Sequence, residues 1–391
     1  MARPARGLWK NYLKFDMRIA LFSSTADPGN GYGNITVEYC RAMQAKGEVF
    51  TLFLPTSEKE AAGKYLPDID CKFVLPPYIF EMKNPKSLLY LKRVDVSGFD
   101  LVHSLFDFPY CFIAARSAKK YGKPFMMGSQ GTYGVVPLLR FPDRLALEWS
   151  YAQAKHIVVP SEFTRRTILQ HTKRQYEIKI IHNGVNFSRF QTATDGSSVR
   201  SRYPGKTILL TVGGLKERKG QDLVLKALAG LRKSFDQFVY LIVGRGEWEK
   251  TLRDLAAGLG LKDHVHFLGS KEGAELVELF HSCDIYVHTP RVRNLNFEGF
   301  GIVYLEAGAC GRPVVATDAG GVTDAVRQEE TGIIAADLDV AGIENALKRL
   351  CSDPELRKKM GDAGRAYAQA HDWSILTDQF LALYRDMTHA K

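Results

Sequence analysis

The chain has 391 residues, 45% hydrophobic and 25% charged, which is enough apolar content for the cores of two or three domains. No apolar run approaches the roughly 20 residues that span a bilayer, and six scattered cysteines without CxxC pairing argue against a zinc site or a disulfide framework. The formal net charge of +10 suits an anionic ligand or an anionic membrane surface, and no nucleic-acid motif accompanies it.

In chain order, residues 1–16 are basic, with Trp9, Tyr12 and Phe15 among Arg3, Arg6, Lys10 and Lys14. They lack the apolar core and cleavage site of a signal peptide and read either as a solvated extension or as a membrane-surface anchor. Short β-branched runs then alternate with helical patterns. Strands are expected at Met17–Ser24, Val49–Pro55, Leu101–Phe106, Pro124–Gln130 and His156–Ser161. A second series is expected at Thr207–Gly214, Val239–Gly246, Val265–Gly269, Ile285–Thr289 and Pro313–Thr317. Near-continuous apolar strands between helices indicate parallel sheets covered on both faces, and two series indicate two doubly wound, Rossmann-like α/β domains. The polar, turn-rich Gln191–Gly205 reads as the linker between domains at 1–190 and 206–371, with a closing helix in 372–391. Open α/β sheets bind ligands beyond the carboxyl ends of their strands, so the cleft between two such domains is the expected site.

The stretch "NFEGFGIVYLEAGACGRPVVATDAGG" carries Glu298 and Glu306 with seven residues between them. A helix starting near Phe300 would offer the free amides of its first turn to a phosphate, and Gly299 and Gly301 would let a ligand approach the backbone. Helical side chains tilt towards the N-terminus, so Glu306 would lean back towards that phosphate. A loop glutamate and a half-buried helix glutamate remain the plain alternative.

This stretch resembles the E-x7-E signature of the family 4 glycosyltransferases, the glycosyl transferases group 1 set, which are retaining enzymes with the GT-B fold. "KIIHNGVNFSRF", "TVGGLKERKGQDLVLKAL" and "VGRGEWEKTLRDLAAGLGLKDHVHFLG" resemble, in order, the family's interdomain segment, its phosphate-binding unit and its nucleotide-binding unit. The resemblance implies that Glu306 binds the donor ribose and Glu298 the transferred sugar. It implies that the backbone of Phe300, Gly301, Ile302 and Val303 meets sugar and phosphate, and that Lys219 binds phosphate. Arg245, Leu268, Ser270 and Lys271 fall where the base is held, although Arg245 also reads as a solvated strand-end residue. Gly31, Tyr32 and Gly33 lie in the glycine-rich loop that would face diphosphate and acceptor, or else in a plain β–α turn.

Three departures stand out. Gln130 replaces the family's strand-end histidine, and Gly214 replaces an arginine that pairs with phosphate, leaving Arg218 beside Lys219 to supply the charge. Asp324 stands where glutamate is common and reads as helix N-terminal charge. Asp68–Asp70 and Asp337–Asp339 do not read as metal pairs.

The expectation is therefore a cytoplasmic, retaining glycosyltransferase without a required cofactor or metal, peripheral membrane contact being one of its options. It would move a sugar from a nucleoside-diphosphate sugar to a hydroxyl on a polysaccharide, a glycolipid or a small metabolite. A catalytically idle nucleotide-sugar-binding protein, or an epimerase or hydrolase on the same fold, is the alternative.

Overall fold

The structure, a computed structural model, describes residues 17–78, 84–191 and 194–389, so the aromatic and basic N-terminal stretch lies outside the described residues. The apolar runs pair into two sheets. The first holds β1 (Arg18–Phe22), β2 (Val49–Pro55), β3 (Cys71–Leu75), β4 (Leu101–Ser104), β5 (Phe125–Gly128), β6 (His156–Val159) and β7 (Ile178–Ile180), in the order β3-β2-β1-β4-β5-β6-β7. The second holds β8 (Thr207–Val212), β9 (Phe238–Val243), β10 (Val265–Gly269), β11 (Ile285–His288), β12 (Val314–Thr317) and β13 (Gly332–Ala335), in the order β10-β9-β8-β11-β12-β13. The pairings are parallel throughout, as in β1 with β4 and β8 with β11.

Side chains alternate across each sheet, so neighbours in sequence enter different cores. Phe22 and Phe53 pack on one face of the first sheet, while Leu21 and Leu52 pack on the other. Leu209 and Tyr240 take one face of the second sheet, and Leu210 and Leu241 take its opposite face. Burial on both faces explains why the central strands read as unbroken apolar runs. Three strands were not anticipated, namely β3, β7 and β13, and all three are edge strands. β3 alternates between half-buried and exposed residues before Leu75, and β7 has only three residues, none fully buried. An edge position asks less of the sequence.

Within 191–205, Ser197–Arg200 form one helical turn. Val199 is buried in the core of the second sheet, and Arg200 pairs with Asp284 just before β11. The last helix, Trp373–His389, packs on the first sheet's side. Tyr384 Oη lies 2.7 Å from Tyr39 Oη and 2.6 Å from His103 Nδ1, and Asp386 is 2.8 Å from His156 Nε2. Five of the six cysteines are buried, and all are free thiols. No helix of the described residues is long and apolar enough to cross a membrane.

Each sheet reverses its strand order at one place, between β1 and β4 and between β8 and β11. Beyond the carboxyl ends of these four strands lie the residues discussed next, where the crevice of an open sheet forms.

Candidate active site

On the side of the second sheet, β8 runs into Gly213 and Gly214, then into the tight turn Glu217–Lys219 and the helix Gln221–Leu231. Gly220 joins turn to helix with φ +73°, and a Cβ there would lie 1.7 Å from the Thr289 carbonyl oxygen. Only glycine permits that approach, and it brings the turn against the end of β11. The Arg291 amide donates to the Arg218 carbonyl at 2.9 Å, while the buried Arg291–Asp222 pair ties the same segment to the helix. Lys219 and Arg218 are thereby aimed at Glu298.

Lys219 Nζ lies 2.5 Å from Glu298 Oε2, and Arg218 Nη1 lies 3.5 Å from that same oxygen. Burial alone would raise the Glu298 carboxyl, but Lys219, then His288 and Arg218, hold it well below the usual carboxylate range. Burial depresses the Lys219 ammonium, and Glu298 opposes that loss. A buried cation of this kind needs a counter-ion, and here the carboxylate supplies it. Sequence reading passed over His288, whose only signal was its place at the carboxyl end of a strand. Its Nε2 is 4.0 Å from Glu298 Oε2, and neither ring nitrogen has a hydrogen-bond partner. Burial pushes this imidazole down to about 4, so it is neutral at pH 7.

After Glu298 the chain turns at Gly301, where φ is +93° and a Cβ would strike the Tyr304 ring. The helix Ile302–Ala309 follows with no side-chain cap, which leaves its first amides for a ligand. Glu306 is buried one turn further on, away from Lys219, in a small cavity shared with Asn34, Glu38, Asn186 and Arg189. Burial, opposed by Arg189 and reinforced by Glu38, raises its carboxyl to about 7. The exposed Arg245 guanidinium lies against Gly269, whose Cβ would be 3.6 Å from Arg245 Nε, so arginine and the turn carrying Leu268, Ser270 and Lys271 are together. A Cβ on Gly214 would meet the Arg245 carbonyl oxygen at an ordinary contact distance of 3.8 Å.

On the side of the first sheet, Asn30 caps the helix Gly31–Ala45 by accepting from the Gly33 amide at 3.0 Å. The glycines do different jobs. A Cβ on Gly33 would collide with Asp27, whereas Gly31 has nothing within 4 Å. Tyr32 is edge-on to Phe106 at 4.5 Å and lies 5.8 Å from the Tyr133 ring. Gln130 does not point freely into the cleft: its Oε1 accepts from Asn183 at 2.9 Å, and its backbone N–H donates to Asp107 at 3.0 Å. Asp107, also missed from sequence, is buried and pushed up to about 8 by that burial.

The two halves touch at this point. A Cβ on Gly299 would lie 2.0 Å from the Gln130 carbonyl oxygen, and Phe297 packs edge-on to Phe163 at 4.9 Å. Asp324 does place charge at a helix N-terminus, in the first turn of its own helix Val322–Ala325, and it also accepts from the amide of Glu162, which opens the helix Glu162–His171 on the other half. Asp339 caps the helix Val340–Ser352 through the Gly342 amide, and Asp70 accepts from Thr51, so one carboxylate of each acidic pair is engaged, while Asp337 Oδ1 is buried without a partner.

Two parallel sheets facing one another across such a cleft are the GT-B architecture of nucleotide-sugar-binding folds. The structure superposes on HepE of Anabaena, solved in complex with UDP and glucose, with a TM-score of 0.77 at 20% identity, covering 94% of this chain and 99% of that one. Residues 197–367 match the family described as Glycosyl transferases group 1, and residues 29–189 match Glycosyltransferase Family 4. A GDP-mannose-dependent monoacylated alpha-(1-6)-phosphatidylinositol monomannoside mannosyltransferase of Corynebacterium glutamicum is 35% identical over 346 residues, 85% of this chain and 88% of that protein. A GDP-mannose-dependent alpha-(1-6)-phosphatidylinositol monomannoside mannosyltransferase of Mycolicibacterium smegmatis is 34% identical over 230 residues, 58% of this chain and 60% of the relative's length. The chain belongs to the family 4, group 1 glycosyltransferases.

Proposed function

We propose that this protein is a retaining glycosyltransferase that moves a hexose from a nucleoside-diphosphate sugar to a hydroxyl of a lipid-linked acceptor, working at the cytoplasmic face of a membrane. The observation that carries the reading is the convergence of Lys219, Arg218 and the uncapped helix at Ile302 around Glu298. That group of positive charge matches a departing diphosphate. The relatives' names favour GDP-mannose as donor and a phosphatidylinositol glycoside as acceptor. In this reading residues 1–190 form the acceptor-side domain, 191–205 the linker and 206–371 the donor domain, and helix 372–391 crosses back.

The chemistry is a dissociative displacement. Lys219, Arg218 and the amides at Ile302 and Val303 stabilise the leaving charge, which is where most of the rate enhancement arises. Their fixed cations make a divalent metal dispensable. Glu298 exchanges its bond with Lys219 for the hydroxyls of the incoming sugar, and Glu306 holds the ribose. Arg245 and the turn Leu268–Lys271 hold the base. The acceptor enters past Gly31, Tyr32 and Gly33 and attacks on the face the diphosphate leaves, with Gln130 bonding a sugar hydroxyl rather than acting as a base. Contact between Gly299 and Gln130 excludes water from the closed cleft.

Purified protein incubated with GDP-, UDP- and ADP-sugars plus a polar-lipid extract, with and without EDTA, tests this. Transfer with retained anomeric configuration by NMR, undiminished by EDTA, is the expected result. An inverted linkage, or activity lost in EDTA and restored by magnesium, would overturn the corresponding part. Slow donor hydrolysis without transfer would favour a hydrolase.

A further inference from the structure

His288 is a member of the charged cluster to which the proposed reading gives no task. It ends β11, and its side chain is wholly buried. The strand end is held from several sides. His288 pairs in register with Ala316 of β12, its carbonyl accepts from Tyr304 Oη at 3.0 Å, and the Thr289 hydroxyl donates to the Gly220 carbonyl at 2.8 Å. The imidazole lies 5.7 Å from the Tyr304 ring and 6.5 Å from the Tyr286 ring. A Cβ on Gly213, just past β8, would be 4.0 Å from its Cε1. A ring fixed so firmly should use its nitrogens, yet neither has a hydrogen-bond partner. Burying unpaired polar atoms is costly, and an apolar side chain of similar shape would avoid that cost.

Glu298 Oε2 lies 4.0 Å from His288 Nε2, about 1 Å beyond the reach of a hydrogen bond. Lys219 Nζ holds the same oxygen at 2.5 Å, with Arg218 Nη1 at 3.5 Å. The Glu298 backbone is pinned, since its carbonyl accepts from the Gly321 amide at 2.7 Å. Only its side chain is free to change partner. Burial, with Lys219 and Arg218 adding to it against the pull of Glu298, keeps the imidazole neutral. Its single proton is favoured on Nε2, because a lone pair there would face the carboxylate.

We propose that His288 is a positioning residue for Glu298: when a diphosphate takes Lys219 and Arg218, the Glu298 carboxylate turns to His288 Nε2–H. A buried carboxylate released by its cation with no second donor would take up a proton. One N–H prevents that and keeps the carboxylate ionised and aimed at the sugar. The consequence for turnover rests on the transferase reading, whereas the exchange of partners needs only a diphosphate.

The exchange is read by NMR of histidine-labelled protein as inorganic pyrophosphate, which has neither base nor sugar, is added. The His288 Nε2–H signal, assigned by its loss in His288→Gln, should move downfield in wild type and stay in place in Glu298→Ala. Pyrophosphate that binds without this movement overturns the proposal. So does a movement that persists in Glu298→Ala, since the imidazole would then be meeting the anion itself. Pyrophosphate that does not bind removes the diphosphate reading of the cluster and this proposal with it.

His288→Leu should melt no lower than wild type, because its two unpaired nitrogens are gone, and should leave GDP affinity unchanged. Its turnover of GDP-mannose, by transfer or hydrolysis, should fall about 10-fold, the scale of one hydrogen bond to a charged group. His288→Gln, whose amide reaches the Nε2 position, should recover most of that loss. His288→Asn, whose amide reaches only the Nδ1 position, should not. Undiminished turnover in His288→Leu, or equal loss in the glutamine and asparagine variants, overturns the proposal; if the leucine variant fails to fold, the contrast between the two amides decides. Wild type that shows the NMR shift but turns over no nucleotide sugar would sink the transferase reading and leave the exchange of partners standing.

Discussion

The two walls of the cleft are made of opposite chemistry. On the second-sheet wall, two cations and a neutral imidazole crowd about Glu298 Oε2 within 4.0 Å. On the first-sheet wall, Tyr32, Tyr78 and Tyr133 form a chain of rings, and the buried carboxyl behind them, Asp107, is spent on the Gln130 amide. A diphosphate is the invariant part of any nucleotide sugar, so fixed charge is suited to it. Such charge cannot wait unpaired in a buried site. Glu298 solves this by serving as the counter-ion of Lys219, a place that a donor's diphosphate would take on the proposed reading. Aromatic and neutral groups suit an acceptor whose hydroxyls are uncharged.

The largest effect should come from Lys219→Ala. Turnover should fall about 10²-fold or more, the scale of one lost transition-state electrostatic contact. The variant should also melt at lower temperature, because Glu298 is left buried beside Arg218 alone. Adding Glu298→Gln should recover the melting temperature without recovering activity. Turnover that survives Lys219→Ala would mean that the charged wall is structural, and the contrast between the walls would lose its functional meaning.

Next comes Glu306→Ala, which should weaken donor binding about 10- to 100-fold, the loss of a charge-assisted hydrogen bond worth roughly 1.5–3 kcal/mol. The carboxyl titrates near 7 in the fold, against 4.5 ordinarily. Between those values the folded chain holds a proton that the unfolded chain has released, so this group's contribution to stability falls as pH rises through the window. Ribose hydroxyls prefer the ionised acceptor, so donor affinity should move the other way and increase between pH 6 and pH 8. Calorimetric titration of wild type and Glu306→Gln with the donor reads this, and a pH trend that persists in the glutamine variant would remove Glu306 from the ribose.

The smallest effect sharpens the comparison from the other wall. Tyr32→Phe should raise the KM for acceptor by about fivefold, one net hydrogen bond of about 1 kcal/mol, and leave donor affinity unchanged. A change in donor affinity instead would place Tyr32 with the diphosphate and blur the division.

Much of this was legible beforehand because it is written in contiguous residues. Ten strands follow from runs such as Val49–Pro55, since burial on both faces requires an unbroken apolar string. The E-x7-E spacing and the loop "GGLKERKG" likewise sit within single strand–loop–helix units, whose geometry is local. Edge strand β10 was anticipated, but β3 and β7 escaped because most of their residues are half-buried or exposed, and β13 because its apolar run is only four residues long. Tertiary structure alone decided the rest. Lys219 and Glu298 are 79 residues apart, and Gln130 and Asn183 are 53 apart. His288 reads as any strand histidine until packing strips its ring of partners and sets it near Glu298. Asp107 reads as a loop carboxylate until the Gln130 amide closes over it. Motif chemistry travels with short-range order, whereas a charge's counter-ion and a buried group's protonation depend on which distant segments are packed against one another.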